Sequence, residues 1–451
     1  MHITKLPYDI TTNIVHLLEQ SAADSCRPLE RLASLNACSL IAPGPWLQSA
    51  RSRYWTTLEV PYDSTKGFQD MKSLFSSPLS TFHLSNIRSL HYGSSWNWRG
   101  RKGYTPPQDR SPVDFLEWCG FHIDENSDKT IAEAYFGHLE SLHFKNVYIL
   151  ENFPESVTNC DSPIRPRQLS SQAKFALLNS FKTVTRLHLR SKVVFSTEEQ
   201  FVEILSSFPA LEVSTNFYVE FERHDSHVYQ LLPCDRRSVL RLREFEWYAK
   251  PGDVNDNLLD AIADLFSLST APKQKLALQE TYGNHDRFML SNHYDRHPTT
   301  CHLGFLSKIP SLSHLQINVN QSNFENKYLH EMLLLPEPHP SLTSLEVWDL
   351  QTATRKGEID EAIKKSLPNL ESVAFLLTVV LPPEEWRGFT RGGDDVVNTM
   401  AIVERRKEAT LDSFADDMPY CREKGLLCPI YRLDDSFVDD VEVEEWDWGL
   451  N

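Results

Sequence analysis

Residues 310–320 read PSLSHLQINVN, a proline followed by Leu312-x-x-Leu315-x-Ile317-x-x-Asn320. Apolar side chains two residues apart point to the same side of an extended strand, and Pro310 is a natural stop for a helix that precedes it. The same spacing returns along most of the chain. It occurs as Ile87-x-x-Leu90-x-Tyr92, Leu139-x-x-Leu142-x-Phe144, Val184-x-x-Leu187-x-Leu189 and Leu242-x-x-Phe245-x-Trp247, then as Leu342-x-x-Leu345-x-Val347 and Leu370-x-x-Val373-x-Phe375. Phe208-Pro209-Ala210-Leu211 and Leu276-Ala277-Leu278 are weaker members, and Pro340 and Pro368 repeat the role of Pro310. Helix-like stretches lie between the copies: Gln200 to Phe208 after a Ser196-x-x-Glu199 capping box, Leu258 to Leu268, Tyr328 to Leu335 and Ile359 to Leu367. Clear neighbours recur at about 27 to 36 residues, the period of stacked units that cannot bury their apolar side alone. The reading is an α/β chain with parallel strands on one face and helices on the other.

Upstream of the first copy, Leu6 to Leu58 is organised differently. Leu6-Pro7 opens a helix at the position where proline gives up only an N–H that would be unpaired anyway. Ile10, Ile14, Leu17 and Leu18 then make one apolar stripe. Leu32, Leu35 and Leu40 begin a second helical pattern, broken by Pro43-Gly44-Pro45, and a third piece runs from Trp46 to Tyr54-Trp55 and Leu58. Three helices in so few residues bury only a small core and need a partner or the rest of the chain. This stretch resembles an F-box, and ACSLIAPGPWLQSARSRYW (residues 37–55) is similar to the variant common in fungal F-box proteins. It departs from that pattern in a longer linker, Ser21 to Pro28. The repeats behind it are similar to degenerate leucine-rich repeats, in which Asn320 supplies the one turn asparagine usual for that family.

These resemblances imply a division of labour. A three-helix F-box module (1–60) would dock a Skp-type adaptor of a cullin–RING ubiquitin ligase through Leu6, Pro7, Ile10, Ile14, Leu17, Leu40 and Trp46. An irregular leucine-rich-repeat solenoid (61–393), with strands on its concave face and insertions near 94–112 and 155–168, would hold an unidentified target protein. A C-terminal helical cap (394–432), read from a charged helix over Asp394 to Met418, and an acidic tail (433–451) would follow. No residue would perform covalent chemistry, and no cofactor is implied; the alternative is a repeat scaffold with no ligase role, in which Leu6, Pro7, Ile10, Ile14 and Leu17 are only the core of an N-terminal helical cap.

Composition narrows the alternatives. The chain has 451 residues, 41% apolar and 24% charged, and a net charge of −17. Eight carboxylates and no Lys or Arg fall between Leu433 and Asn451. An acidic chain is poor material for duplex DNA binding, which needs a basic stripe. The eight cysteines are scattered without a C-x-x-C pair, and no charged-then-apolar leader follows Met1, so reduced thiols in the cytosol or nucleus are expected. The longest apolar run, Val373 to Leu381, is too short to cross a bilayer.

Three rival chemistries are visible. Asp225-Ser226-His227, Gly252-Asp253-Val254-Asn255-Asp256 and Gly283-Asn284-His285-Asp286 resemble, in order and spacing, the D-x-H, G-D-x-x-D, G-N-H-D series of calcineurin-like metallophosphoesterases. That resemblance implies Asp225, His227, Asp253 and Asn284 as ligands of a metal pair and His285 as proton donor. The family's closing G-H-x-H is missing, Glu222-Arg223-His224 stands where an apolar strand belongs, and repeats flank the region on both sides. Turn chemistry accounts for the same residues. His285, His293, His297, Cys301 and His302 match no closed zinc spacing. Trp96, Trp98, Arg99, Arg101, Lys102 and Tyr104 mix bases and aromatics as a single-strand RNA contact would, but in an acidic chain they read as a solvated loop. No G-x-S-x-G, P-loop or G-x-G-x-x-G is present.

Overall fold

The structure is a computed structural model. It describes residues 10–11, 13–17, 47, 50, 56–60, 65–76, 87–93, 115–124, 127–145, 147–149, 167–190, 193–222, 229–231, 239–249, 256–280, 304–318, 330, 332–348, 356–380 and 395–434. The chain divides into two compact units, Met1–Trp247 with Leu268–Ala271, and Tyr248–Ser267 with Pro272–Asn451. Both are α/β, built on parallel strands.

In the first unit, β1 (Thr57–Glu59), β2 (Ser89–Gly93), β3 (Ser141–Lys145), β6 (Arg186–Arg190), β8 (Val213–Phe217) and β10 (from Glu244, running to Ala249) lie side by side in that order. The pairing from β1 to β8 is parallel throughout. Leu90, Leu142 and Leu187 face one another in register, as do Tyr92, Phe144 and Leu189, and all six are at most 1% exposed. Alternation sends one set of side chains inward and the other out. Each buried leucine contributes about 2 kcal/mol of hydrophobic stabilisation. The rows make the core continuous from strand to strand, which is why a strand of only five residues is stable here.

Parallel neighbours need crossovers, and these cover the inner side. They carry α1 (Thr65–Ser76), α2 (Phe115–Phe121), α3 (Ile131–Tyr135), α4 (Ser171–Ser180) and α5 (Glu198–Ser206). Phe68, Phe75, Phe115, Trp118 and Phe136 pack edge-on or tilted between α1, α2 and the turn after α3. Thr130 and Glu133 form a reciprocal capping box on α3. On α5 the cap is Thr197, which accepts from Gln200 N, one residue later than the Ser196-x-x-Glu199 reading; the Gln200 side chain accepts instead from Ser196 N at 2.9 Å. A second, smaller parallel sheet is ordered β5 (Arg167–Gln168), β4 (Val147–Ile149), β7 (Val193–Phe195) and β9 (Val219–Phe221), of which β4, β7 and β9 follow directly on β3, β6 and β8.

The second unit repeats the plan. α6 (Asp256–Ser267) precedes β11 (Gln274–Glu280), a 3₁₀ turn (Phe305–Lys308) precedes β12 (Leu312–Asn318), and β13 (Ser344–Val347) follows. α7 (Lys356–Ser366) then precedes β14 (Ser372–Val380). The strands run parallel in the order β11-β12-β13-β14-β15. The region read as a helical cap contains α8 (Asp395–Asp416) and α9 (Pro419–Glu423), and also β15 (Leu427–Asp434), which adds a strand beyond β14. Phe414 of α8 stacks on Phe375 at 4.2 Å. Asp360, 1% exposed, accepts from Tyr420 N and Cys421 N at 2.8 and 2.9 Å and so fixes the start of α9 on α7. Among the described residues no helix is long and apolar enough to cross a membrane.

Candidate functional site

Two surfaces of the first unit stand out. The first lies at the N-terminus, where residues 10–11 and 13–17 are helical. Thr11 and Val15 are fully buried, whereas Ile10 is 46% and Leu17 63% exposed, with Ile14 between these extremes. Positions 10, 14 and 17 are related by steps of four and three, so they share one side of the helix. The helix therefore buries Thr11 and Val15 and leaves Ile10 and Leu17 in water, with Ile14 half-buried between them. Leu6, Pro7, Leu40 and Trp46, the other members of the expected adaptor-docking set, lie outside the described residues. The third helical piece is represented by Leu47 and the buried Ala50.

The second surface is the outward side of β1 to β8. Register places His91 of β2 opposite His143 of β3, and His143 opposite His188 of β6. The imidazoles form a row, with centroids 4.2 Å apart between His91 and His143 and 4.3 Å apart between His143 and His188. Ser141 Oγ shares a 2.8 Å hydrogen bond with His143 Nε2, and Glu59 on β1 lies 3.7 Å from His91 Nδ1. His188 Nδ1 is buried and has no hydrogen-bond partner among the described residues. The same side of the strands carries Lys145, in register with Arg190, and Ser141, in register with Arg186. Arg186 and Arg190 are exposed, and Arg190 lies 5.9 Å from the centre of the Phe217 ring.

The electrostatics follow from this crowding. Burial and then the neighbouring His91, His188 and Arg190 push His143 down to about 3. Burial and then Arg190 and Arg186 push His188 down to about 4. His91 is lowered by burial, against the opposing pull of Glu59. Lys145 is lowered by burial, with Glu59 raising it and Arg190 lowering it. At neutral pH the surface is thus a row of uncharged rings among three cations.

Sequence reasoning listed these strands but passed over the histidines. The signal was present: the variable position between the two final apolar residues is histidine in Leu90-His91-Tyr92, Leu142-His143-Phe144 and Leu187-His188-Leu189.

The rival sites fall elsewhere. Asp225, His227, Asp253, Asn284 and His285, the His285–His302 cluster, the Trp96–Tyr104 loop and Asn320 all lie outside the described residues. Among the described residues no group of three or more His, Cys, Asp or Glu is placed to hold a metal ion. A cleft in the second unit is lined by Lys356, Ser413, Phe414 and Asp417, and Lys356 Nζ is already paired with Asp417 at 3.1 Å. The chain matches no family model and no curated protein sequence.

Proposed function

We propose that this protein is a non-catalytic substrate receptor of a cullin–RING ubiquitin ligase, in which an F-box-like N-terminal module docks a Skp-type adaptor and a degenerate leucine-rich-repeat solenoid holds the target. The observation that carries the reading is the N-terminal helix on which Ile10 and Leu17 are exposed and Ile14 is half-buried while Thr11 and Val15 are buried. A large exposed apolar stripe on a short helix is a common form of helix-to-helix docking surface. Parallel strands linked by helices, with core leucines in register, support the scaffold part of this reading. Leu6, Pro7, Leu40 and Trp46 complete the proposed adaptor contact.

On this reading the chain contributes proximity: tethering raises the effective concentration of a target lysine near a charged ubiquitin-conjugating enzyme. It works where a reduced cytosolic or nuclear adaptor is available and needs no cofactor. The test is co-purification with a Skp-type adaptor. Ile10→Asp/Leu17→Asp places charge at the two most exposed positions of the stripe, so the fold tolerates it while docking does not. Loss of at least tenfold in adaptor affinity with an unchanged thermal melt is expected; undiminished binding removes the assignment.

A further inference from the structure

Around the histidine row the basic side chains outnumber the one acidic neighbour, Glu59, whose pull on Lys145 is opposed by Arg190. Elsewhere among the described residues, Arg88 pairs with Glu140, Arg243 with Glu212, Lys308 with Asp260, Lys356 with Asp417, Lys407 with Glu404 and Arg422 with Asp416. Lys145, Arg186 and Arg190 have no carboxylate at ion-pair distance among those residues. Lys145 and Arg190 stand in register on adjacent strands, where their mutual repulsion is partly offset at Lys145 by Glu59. In a chain of net charge −17 such a concentration of one sign is a cost that an occupant of opposite sign would relieve.

We propose that this strand face seats an extended, carboxylate-rich segment of the bound target, with its acidic side chains against Lys145, Arg190 and Arg186 above the histidine row. The proposal rests on the receptor reading and names the chemistry of what the receptor holds. The geometry selects a segment over a single anion. Arg186 and Arg190 are four residues apart on one strand, about 13 Å along it, and Lys145 is one strand, about 4.8 Å, to the side. One phosphate cannot touch cations spread that widely. An extended peptide presents every second side chain to one face, so three acidic residues at i, i+2 and i+4 cover about the same 13 Å. The uncharged imidazoles form the floor beneath the segment, stacked at 4.2 and 4.3 Å between centroids. Glu59 at the β1 end sets a boundary, since it would repel an acidic chain that ran farther that way.

The experiment uses the full chain and fluorescence anisotropy with three labelled peptides: one carrying Glu-x-Glu-x-Glu, one with Gln in place of Glu, and one with a single phosphoserine and no Glu. The Glu peptide is expected to bind at least tenfold more tightly than the others and to weaken as salt is raised from about 50 to 200 mM, because salt screens exposed charges. Arg186→Glu/Arg190→Glu is expected to abolish that preference, and Arg186→Gln/Arg190→Gln to reduce it, with unchanged melts because both side chains are exposed. Equal binding of the Glu and Gln peptides, tighter binding of the phosphoserine peptide, or full affinity in the charge-reversed variant overturns the proposal. Adaptor co-purification measured on the same variants separates the two readings. If the Glu peptide binds but no adaptor does, the acidic-segment face stands and the ligase role falls; if the adaptor binds but the Glu peptide does not, the reverse holds.

Discussion

Replacing His339 by alanine should loosen the second unit from the inside. The ring is 2% exposed, and every polar atom on it is in use. Nδ1 accepts from Ser341 N at 3.3 Å and Leu342 N at 3.1 Å, while Nε2 contacts Ile309 O at 3.0 Å. Because Nδ1 accepts, Nε2 must carry the proton, and the ring is the neutral Nε2–H tautomer. It joins the end of the 3₁₀ turn before β12 to the turn that launches β13. Alanine leaves two N–H groups and a carbonyl to find other partners, at about 1 kcal/mol or more each. Admission of water recovers part of that, so the net loss should be about 2–4 kcal/mol. His339→Asn, whose Oδ1 can take over the Nδ1 role, should recover roughly half. Urea unfolding followed by circular dichroism gives the stability change, and hydrogen exchange at Ser341 and Leu342 reports on the two donors directly. The pH dependence has a definite sign. Burial lowers the His339 pKa below its ordinary 6.5, against the opposing effect of the Ile309 and Leu306 carbonyls, so the unfolded chain binds the proton more readily. The stabilisation is therefore complete above pH 6.5 and is lost as pH falls below it, by at most about 1.4 kcal/mol per unit. His339→Asn removes that slope. A loss below 0.5 kcal/mol in His339→Ala, with unchanged exchange at Ser341 and Leu342, would refute the reasoning.

Two further outcomes test the packing. Gly93 ends β2 at φ +125°, and an added Cβ would lie 1.8 Å from the carbonyl oxygen of Lys145 on β3, so Gly93→Ala should lower stability by about 2–4 kcal/mol, read as a fall in the urea midpoint. Cys119 and Cys421 are buried and Cys428 is exposed; burial, and then Asp360, push the Cys421 thiol up. Iodoacetamide should alkylate Cys428 within minutes and reach Cys119 and Cys421 only after unfolding, as mass spectrometry of the digested protein will show.

How much of this could be read from the residues alone differs from element to element. The seven clear L-x-x-L-x-L copies coincide with β2, β3, β6, β10, β12, β13 and β14, because period-two alternation over a buried row is a strong local signal. The stretch after Phe208 gave only a weak signal for a reason visible in β8. Its inward positions are Ser214 and Asn216, opposite Leu187 and Leu189, and both are fully buried. They are tolerated because Asn216 Nδ2 donates to Ser214 Oγ at 3.2 Å and to Glu246 O at 3.0 Å, a cross-strand arrangement that no hydropathy pattern reveals. The three-residue strands β4, β7 and β9 are too short to show a period. β15 carries Pro429 and an exposed Ile430 and Tyr431, so its alternation is blurred and it was read as part of a helical cap. Of the candidate contacts, the Ile10–Leu17 stripe was legible as a helical repeat, whereas the three histidines became a unit only through register, which joins residues 45 to 52 positions apart along the chain.

The closeness of those three rings has a consequence for acid behaviour. Burial first, and then the neighbouring rings and Arg190, hold His143 down to about 3, and burial with Arg190 and Arg186 holds His188 down to about 4, so a proton on one imidazole adds to the cost of charging the next. Such a chain of sites titrates like a short polyelectrolyte, with macroscopic steps that belong to the row rather than to single residues. Acidification would therefore add positive charge to a surface already carrying Lys145, Arg186 and Arg190, and the rings would take it up as a coupled set.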